Sequence, residues 1–184
     1  MVIPFRRSLK EGFTLVELLV VIGIIAILAT ILLLQLGTAR SKSRDTARIA
    51  HINQMRSAAE QYFDDNGTYP KFTDFGTAAN NFSPKYISPV PVDPLGAATC
   101  TTYGGAGCYG YAWNIIVGTN ATRYQVWAEL ELKNKQALDT DSDINVGVDW
   151  TASGGTGVNG ASANETCPDT NVANTNCVFD LGLK

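Results

Sequence analysis

Apolar and polar positions divide this chain into a greasy first stretch and a mixed remainder. Residues 13–36 form an apolar run with one charge, Glu17. About 20 consecutive apolar residues suffice to cross a bilayer as a helix, so the run predicts a membrane-spanning helix. Beyond Gly37 the residues turn polar, yet Ile52, Met55, Ala59 and Tyr62 keep helical spacing, with Phe63 widening the stripe. Arg48, His51, Asn53, Gln54, Arg56, Ser57, Glu60 and Gln61 lie between them and read as a solvated face. No proline interrupts residues 13–65. Gly67 supplies a left-handed stop, and Pro70 prevents the helix from resuming. One helix over residues 13–66 would be about 80 Å long at 1.5 Å per residue, membrane-soluble at one end and amphipathic at the other.

The remainder predicts a small sheet. Residues 109–117 and 123–132 read as strands, with Gly118-Thr119-Asn120-Ala121 as the hairpin turn. In the second strand Tyr124, Val126, Ala128, Leu130 and Leu132 alternate with Gln125, Trp127, Glu129 and Glu131. The first set would cover the amphipathic half of the helix. Trp127 falls on the polar side, and packing beneath the C-terminal loop is preferred to a contact with a partner. Residues 178–181 would close the sheet. Residues 68–90 and the proline-rich 86–96 read as winding connections. Residues 151–176 hold almost no apolar anchors and need tying down.

Charge sets the orientation. Arg6, Arg7 and Lys10 precede the apolar run, which puts the N-terminus in the cytoplasm; Arg40, Lys42 and Arg44 beyond it partly oppose that reading. All four cysteines lie in the C-terminal part, which fits an oxidising compartment outside the cytoplasmic membrane. The run is too long for a secretory signal, and no small-x-small cleavage site is apparent. A permanently uncleaved anchor stays open. The whole chain is −3 and its leader is net basic, so the mildly acidic surface gives no reason to expect nucleic acid.

Glu17 needs an explanation. A charge at mid-membrane costs roughly 2.5–3.5 kcal/mol on insertion scales, less near an end, so an intramembrane acid implies a partner. Gly12-Phe13-Thr14-Leu15-Val16-Glu17-Leu18 behind a short basic leader resembles the processing signal of type IV prepilins and type II secretion pseudopilins. The resemblance implies cleavage between Gly12 and Phe13 by a membrane prepilin peptidase, methylation of the new N-terminal Phe13, and docking of Glu17 into a filament. Phe13 and Glu17 stand four apart, one turn along one helical face. In a packed bundle the Glu17 carboxylate can pair with the freed Phe13 amine of its own chain or a neighbour, fixing register between greasy helices. The alternative is a glutamate snorkelling at the membrane edge. Many relatives carry a proline within the span, where this chain reads Ile31-Leu32-Leu33-Leu34. Asn66-Gly67-Thr68-Tyr69-Pro70 and Asp93-Pro94-Leu95-Gly96 are loosely similar to loops of major pseudopilins.

The cysteines pair most simply as Cys100–Cys108 and Cys167–Cys177, although four cysteines allow three connectivities. A disulfide-closed C-terminal loop resembles the variable region of type IV pilins. Asp139, Asp141 and Asp143 occupy alternate positions, and in a loop they can converge on one hard cation with Asn145 and Asp149 nearby. Ile144 stands where an EF-hand requires glycine. Major pseudopilins carry a calcium site in such a loop, so the resemblance favours calcium over a solvated acidic turn, while the fold itself requires no cofactor. Arg40, Lys42, Arg44 and Arg48 form a basic patch suited to lipid headgroups or, preferably, to subunit and solvent contacts. His51 reads as a solvated helix residue. Three glycosylation sequons, at Asn66, Asn120 and Asn164, are short patterns of little weight. No catalytic constellation can be assembled, so no enzyme is expected.

The expected fold is α+β and pilin-like: a long N-terminal helix on a small antiparallel sheet with disulfide-stapled loops. Its parts would be a leader (1–12), a membrane and filament-core helix (13–37), its amphipathic continuation (38–67) and a globular head (68–184). The expected role is a structural subunit of a type IV pilus-family filament, held in the cytoplasmic membrane with its N-terminus inside and then carried into an extracellular or periplasmic filament. The implied partners are copies of itself and other pilins, the prepilin peptidase, an inner-membrane assembly platform, and lipid before assembly. A type II secretion pseudopilin is the close alternative. A membrane-anchored calcium- or ligand-binding module that never polymerises is the alternative of another class.

Overall fold

The computed structural model describes residues 12–71, 82–96, 109–116, 118–144, 150–152 and 177–183. It holds the expected α+β combination: helix α1 (Leu15–Asn66), strands β1 (Gly110–Asn114) and β2 (Arg123–Glu129), a one-turn helix α2 (Lys135–Leu138), and strands β3 (Trp150–Ala152) and β4 (Val178–Leu183). Two compact units result, Met1–Ala39 and Arg40–Lys184.

In the first unit α1 is the stem. Its described large apolar side chains, among them Leu15, Ile22, Ile25, Leu28 and Leu32, are all exposed. Among the described residues α1 is the one helix long and apolar enough to cross a membrane.

In the second unit α1 acquires a core. Ile52, Met55, Ala58 and Ala59 are buried, with Ile49, Tyr62 and Phe63 packed around them. The helix ends as its sequence dictates: Gly67 takes φ +67°, and its N–H donates to the Phe63 carbonyl at 2.7 Å.

The sheet runs in the order β3-β1-β2-β4, and every pairing is antiparallel. Tyr111 faces Val126, and Val126 faces Leu181, so one side of the sheet is a continuous apolar surface. Tyr111, Trp113, Tyr124, Val126, Ala128, Phe179 and Leu181 join the helical residues in one core.

The other face departs from expectation. Gln125 and Trp127, read from the alternation as polar-side residues, are 0% and 5% exposed. Trp127 packs with Ala112, Ile144, Trp150 and Val178 in a second cluster. Its cover is therefore Ile144 and Trp150; the C-terminal loop expected to cover it, residues 151–176, lies almost wholly outside the described residues. Space for the indole comes from Gly110, directly opposite in the register, where a Cβ would stand 1.9 Å from the Trp127 ring.

Strand ends also move, and β2 stops at Glu129, three residues short of the expected 132. β1 stops at Asn114, because the Thr122 N–H donates to the Asn114 carbonyl at 3.1 Å and closes the hairpin there; Ile115 and Ile116 beyond it are exposed. β4 runs two residues past the expected Leu181.

Candidate functional site

The stem opens with Gly12, Phe13 and Thr14 outside the helix and Leu15 as its first residue. Phe13 is 82% exposed, and nothing lies within 4 Å of where a Cβ on Gly12 would be. Among the described residues nothing covers the Gly12–Phe13 bond.

Glu17 finds its partner in Thr14. The Thr14 backbone N–H donates to Glu17 Oε2 at 2.9 Å, the Thr14 hydroxyl donates to the same oxygen at 2.8 Å, and the Glu17 N–H donates back to Thr14 Oγ1 at 3.2 Å. This is a reciprocal capping box, which satisfies two otherwise orphaned donors of the first helical turn. Thr14 was missed as a functional residue. Its signal is the threonine three residues before the glutamate at the head of an apolar run.

In the head, ionic residues fasten α1 to the loop before β1 and to the chain just past β2. Arg48 donates from Nε to Asp93 Oδ2 at 2.6 Å, from Nη1 to Asp45 Oδ1 at 2.8 Å, and from Nη1 to Glu131 Oε1 at 2.8 Å. Arg44 pairs with the same Glu131 through Nε and Nη2. Asp45 also accepts the backbone N–H groups of Glu131 and Leu132, both at 2.9 Å. Burial works against the Arg48 charge, but its hydrogen bonds to Asp93, Asp45 and Glu131 more than offset this and raise its pKa. Hydrogen bonding from Arg44, with Arg48 adding to it against some burial, lowers the Glu131 carboxyl to about 2.

These contacts correct two expectations. Arg44 and Arg48 are not part of a solvated basic patch; Arg48 is 4% exposed, and only Arg40 and Lys42 of the four remain exposed without an ion pair among the described residues. His51 is not a solvated residue either: its Nδ1 lies 2.6 Å from the Tyr109 hydroxyl. Glu60, on the same expected polar face, accepts the hydroxyls of Tyr69 at 2.9 Å and Tyr124 at 2.6 Å. Helical spacing alone cannot reveal such partners, because they lie on distant strands and loops.

The acidic loop is divided in its roles. Asp139 caps α2 and holds Lys135 Nζ at 2.9 and 2.7 Å. Asp141 Oδ2 accepts the Asp180 backbone N–H at 3.2 Å, and the Ser142 N–H donates to the Asp180 carbonyl at 2.9 Å, so the loop lies along β4. Asp143 takes φ +44°. Ile144 follows it into the second cluster, and its N–H donates to Asp180 Oδ2 at 3.1 Å. Asp180 is fully buried and also accepts Gln125 Nε2 at 2.8 Å. One oxygen of Asp143 and one of Asp180 are buried with no hydrogen-bond partner. Among the described residues no three His, Cys, Asp or Glu side chains stand together as a ready metal set. The expected trio Asp139, Asp141 and Asp143 is thus not brought together, although two unpartnered buried carboxylate oxygens suit a hard cation. Asn145 and Asp149 lie outside the described residues, as do Cys100, Cys108 and Cys167. Cys177 is buried at the start of β4.

A family model described as the prokaryotic N-terminal methylation motif matches residues 7–33. The type IV wide pilus major component of Thermus thermophilus is 48% identical over 59 residues, covering 32% of this chain and 45% of that protein. A fimbrial protein of Eikenella corrodens is 34% identical over 92 residues, covering 49% and 59%. The type II secretion system core protein G of Pseudomonas aeruginosa is 32% identical over 103 residues, covering 50% of this chain and 72% of that protein. The chain spans about half the length of the first two of these relatives. No solved structure is a significant match.

Proposed function

The chain belongs to the family of type IV pilins and type II secretion pseudopilins, and from that premise we propose that it is a structural subunit of a filament. The observation that carries the reading is the stem. A helix exposing apolar side chains all round has no stable place in water and needs lipid or like neighbours around it. Before assembly the stem sits in the cytoplasmic membrane with its N-terminus inside. Prepilin peptidase cleaves after Gly12 and the new N-terminal Phe13 is methylated. An inner-membrane platform then delivers the chain to a filament of its own copies and other pilins, stems inward and heads outward, with disulfides tying the head's loops.

Glu17 carries the register. In the single chain its carboxylate is held by Thr14. Cleavage adds a cationic amine on Phe13, one turn away, and pairing with that amine, its own or a neighbour's, keeps the charge compensated among apolar helices. Intact mass and N-terminal sequencing of protein recovered from cells test this reading. A chain starting at methylated Phe13 supports it; one starting at Met1 overturns it.

A pseudopilin is the second reading, favoured by the 72% coverage of the Pseudomonas core protein G. With it goes a calcium ion in the loop after α2, which would supply positive charge to the buried oxygens of Asp143 and Asp180. Calcium-dependent melting tests that part separately.

A further inference from the structure

Four bases follow the apolar run, and their surroundings divide them in two. Arg44 and Arg48 are spent within the head, on Glu131, Asp45 and Asp93. Arg40 and Lys42 are exposed, and neither is ion-paired among the described residues. The carboxylates along this stretch of α1 are already engaged. Glu131 and Asp93 hold the two arginines, and Asp45 is buried against Arg48 and the N–H groups of Glu131 and Leu132. Arg40 and Lys42 therefore carry charge for which the described chain supplies no counter-charge.

They also stand where α1 stops being apolar. Leu36 is the last large apolar side chain of the exposed run. At 1.5 Å per residue, Leu15 to Leu36 spans about 33 Å, and Arg40 and Lys42 follow about 6 and 9 Å beyond it. The hydrocarbon layer of a bilayer is about 30 Å thick, and headgroups add roughly 5–8 Å on each side. With Leu15 to Leu36 in hydrocarbon, both cations fall at headgroup level, and their long stems let the charged ends settle beside phosphate. Two residues apart on a helix is about 200° of turn, so the pair reaches headgroups on opposite flanks of α1.

We propose that Arg40 and Lys42 bind the headgroups of anionic phospholipids in the leaflet beyond the span, holding the stem at one depth before assembly. This rests on the membrane placement of the stem proposed above and names the lipid it meets there. Charge complementarity selects anionic over zwitterionic headgroups. The Arg40 guanidinium can take two phosphate oxygens at once, while Lys42 acts as a point charge. Bases on this side of a span oppose the orientation set by the leader. Headgroup phosphate supplies the counter-charge that the chain does not.

The full chain in detergent is titrated with phosphatidylglycerol or phosphatidylcholine, and bound lipids are counted by native mass spectrometry. Arg6→Gln, Arg7→Gln and Lys10→Gln are built into every protein, so that the basic leader does not contribute. This parent is compared with Arg40→Gln/Lys42→Gln and with Arg56→Gln, which removes an exposed base elsewhere on α1. The parent and Arg56→Gln take up phosphatidylglycerol in preference to phosphatidylcholine. The double variant binds phosphatidylglycerol about 25-fold more weakly, about fivefold for each cation lost at an anionic surface, and melts as the parent does. If the double variant does not fold, Arg40→Gln and Lys42→Gln decide singly. Entry into phosphatidylcholine nanodiscs reads the membrane placement by itself. A parent that enters the discs without preferring phosphatidylglycerol, or a double variant that keeps the preference, overturns this inference alone. A double variant that keeps the preference but forms no filaments in cells assigns the two bases to contacts between copies and overturns it as well. A parent that does not enter the discs overturns it together with the membrane placement.

Discussion

One helix, α1, serves two regions that solve burial in opposite ways. From Leu15 to Ala39 it is almost purely apolar and buries none of its described large side chains. From Arg40 to Asn66 it is mostly polar, yet it buries Ser41, Asp45, Arg48, Ile52, Met55, Ala58 and Ala59. On the proposed reading the apolar half leaves its core to be completed by other molecules, whereas the polar half completes its own. Hydrophobicity along a chain therefore does not by itself say what is buried within it. The solvent or the neighbours for which each part is built decide that.

The head's self-sufficiency is most directly broken at Arg48. Arg48→Ala leaves Asp45, Asp93 and Glu131 without their shared cation, and removing one partner of a buried ion pair costs about 3–5 kcal/mol. Thermal melting of the full chain in detergent should show that loss, and an unchanged melting temperature would mean the cluster is not buried.

The second face of the sheet is the next point to test. Gly110→Ala drives a methyl into the Trp127 ring, and overpacking of this kind costs about 1–3 kcal/mol. Chemical denaturation checks it, with a shift in Trp127 fluorescence expected alongside. A neutral substitution would show that Trp127 does not lie over Gly110.

A smaller effect follows from pH. The Glu131 carboxyl sits well below its ordinary value, at about 2, beside Arg44, Arg48 and Asp45. A depressed carboxyl lends stability above its unfolded pKa of 4.5 and loses it as pH falls from there towards about 2. With solvent screening this amounts to roughly 1–2 kcal/mol. Glu131→Gln should flatten the acid limb of a stability–pH curve, and an unaltered limb would remove Glu131 from the account.

The smallest effect belongs to the stem. Thr14→Ala removes the cap and should weaken the first helical turn by about 1 kcal/mol. Hydrogen exchange at the amides of residues 14–17 in micelles would speed up, with melting of the head unchanged. A change in the head's melting would contradict the division between the regions.

Much of this was legible in the sequence, for stated reasons. The apolar run, the 3–4 spacing from Ile52 to Tyr62 and the hairpin around Gly118 are local patterns, and each became the element it predicts. The prepilin-like signal is likewise local. What was not legible is what depends on distant partners. Arg48 meets Asp93, 45 residues away, and Glu131, 83 away, so spacing on the helix wrongly read it as solvated. Trp127 falls on the polar side of the alternation with packing beneath the C-terminal loop expected, and strand alternation cannot show that Ile144 and Trp150 are its cover. Asp180 gave no sign at all, sitting alone in an apolar strand far in sequence from Asp141 and Ile144, to which it is hydrogen-bonded. Thr14 is the reverse case: its spacing to Glu17 is legible as a capping box, although the place of the acid in an apolar span points to a more distant partner.

The central claim is that the stem serves assembly while the head serves itself. Glu17→Ala tests it most directly, with membrane fractionation, electron microscopy of filaments and melting of the purified chain measured on one variant. The account predicts that the variant remains in the membrane with a head as stable as wild type and forms no filaments. Filaments at wild-type abundance, or a destabilised head, would contradict it.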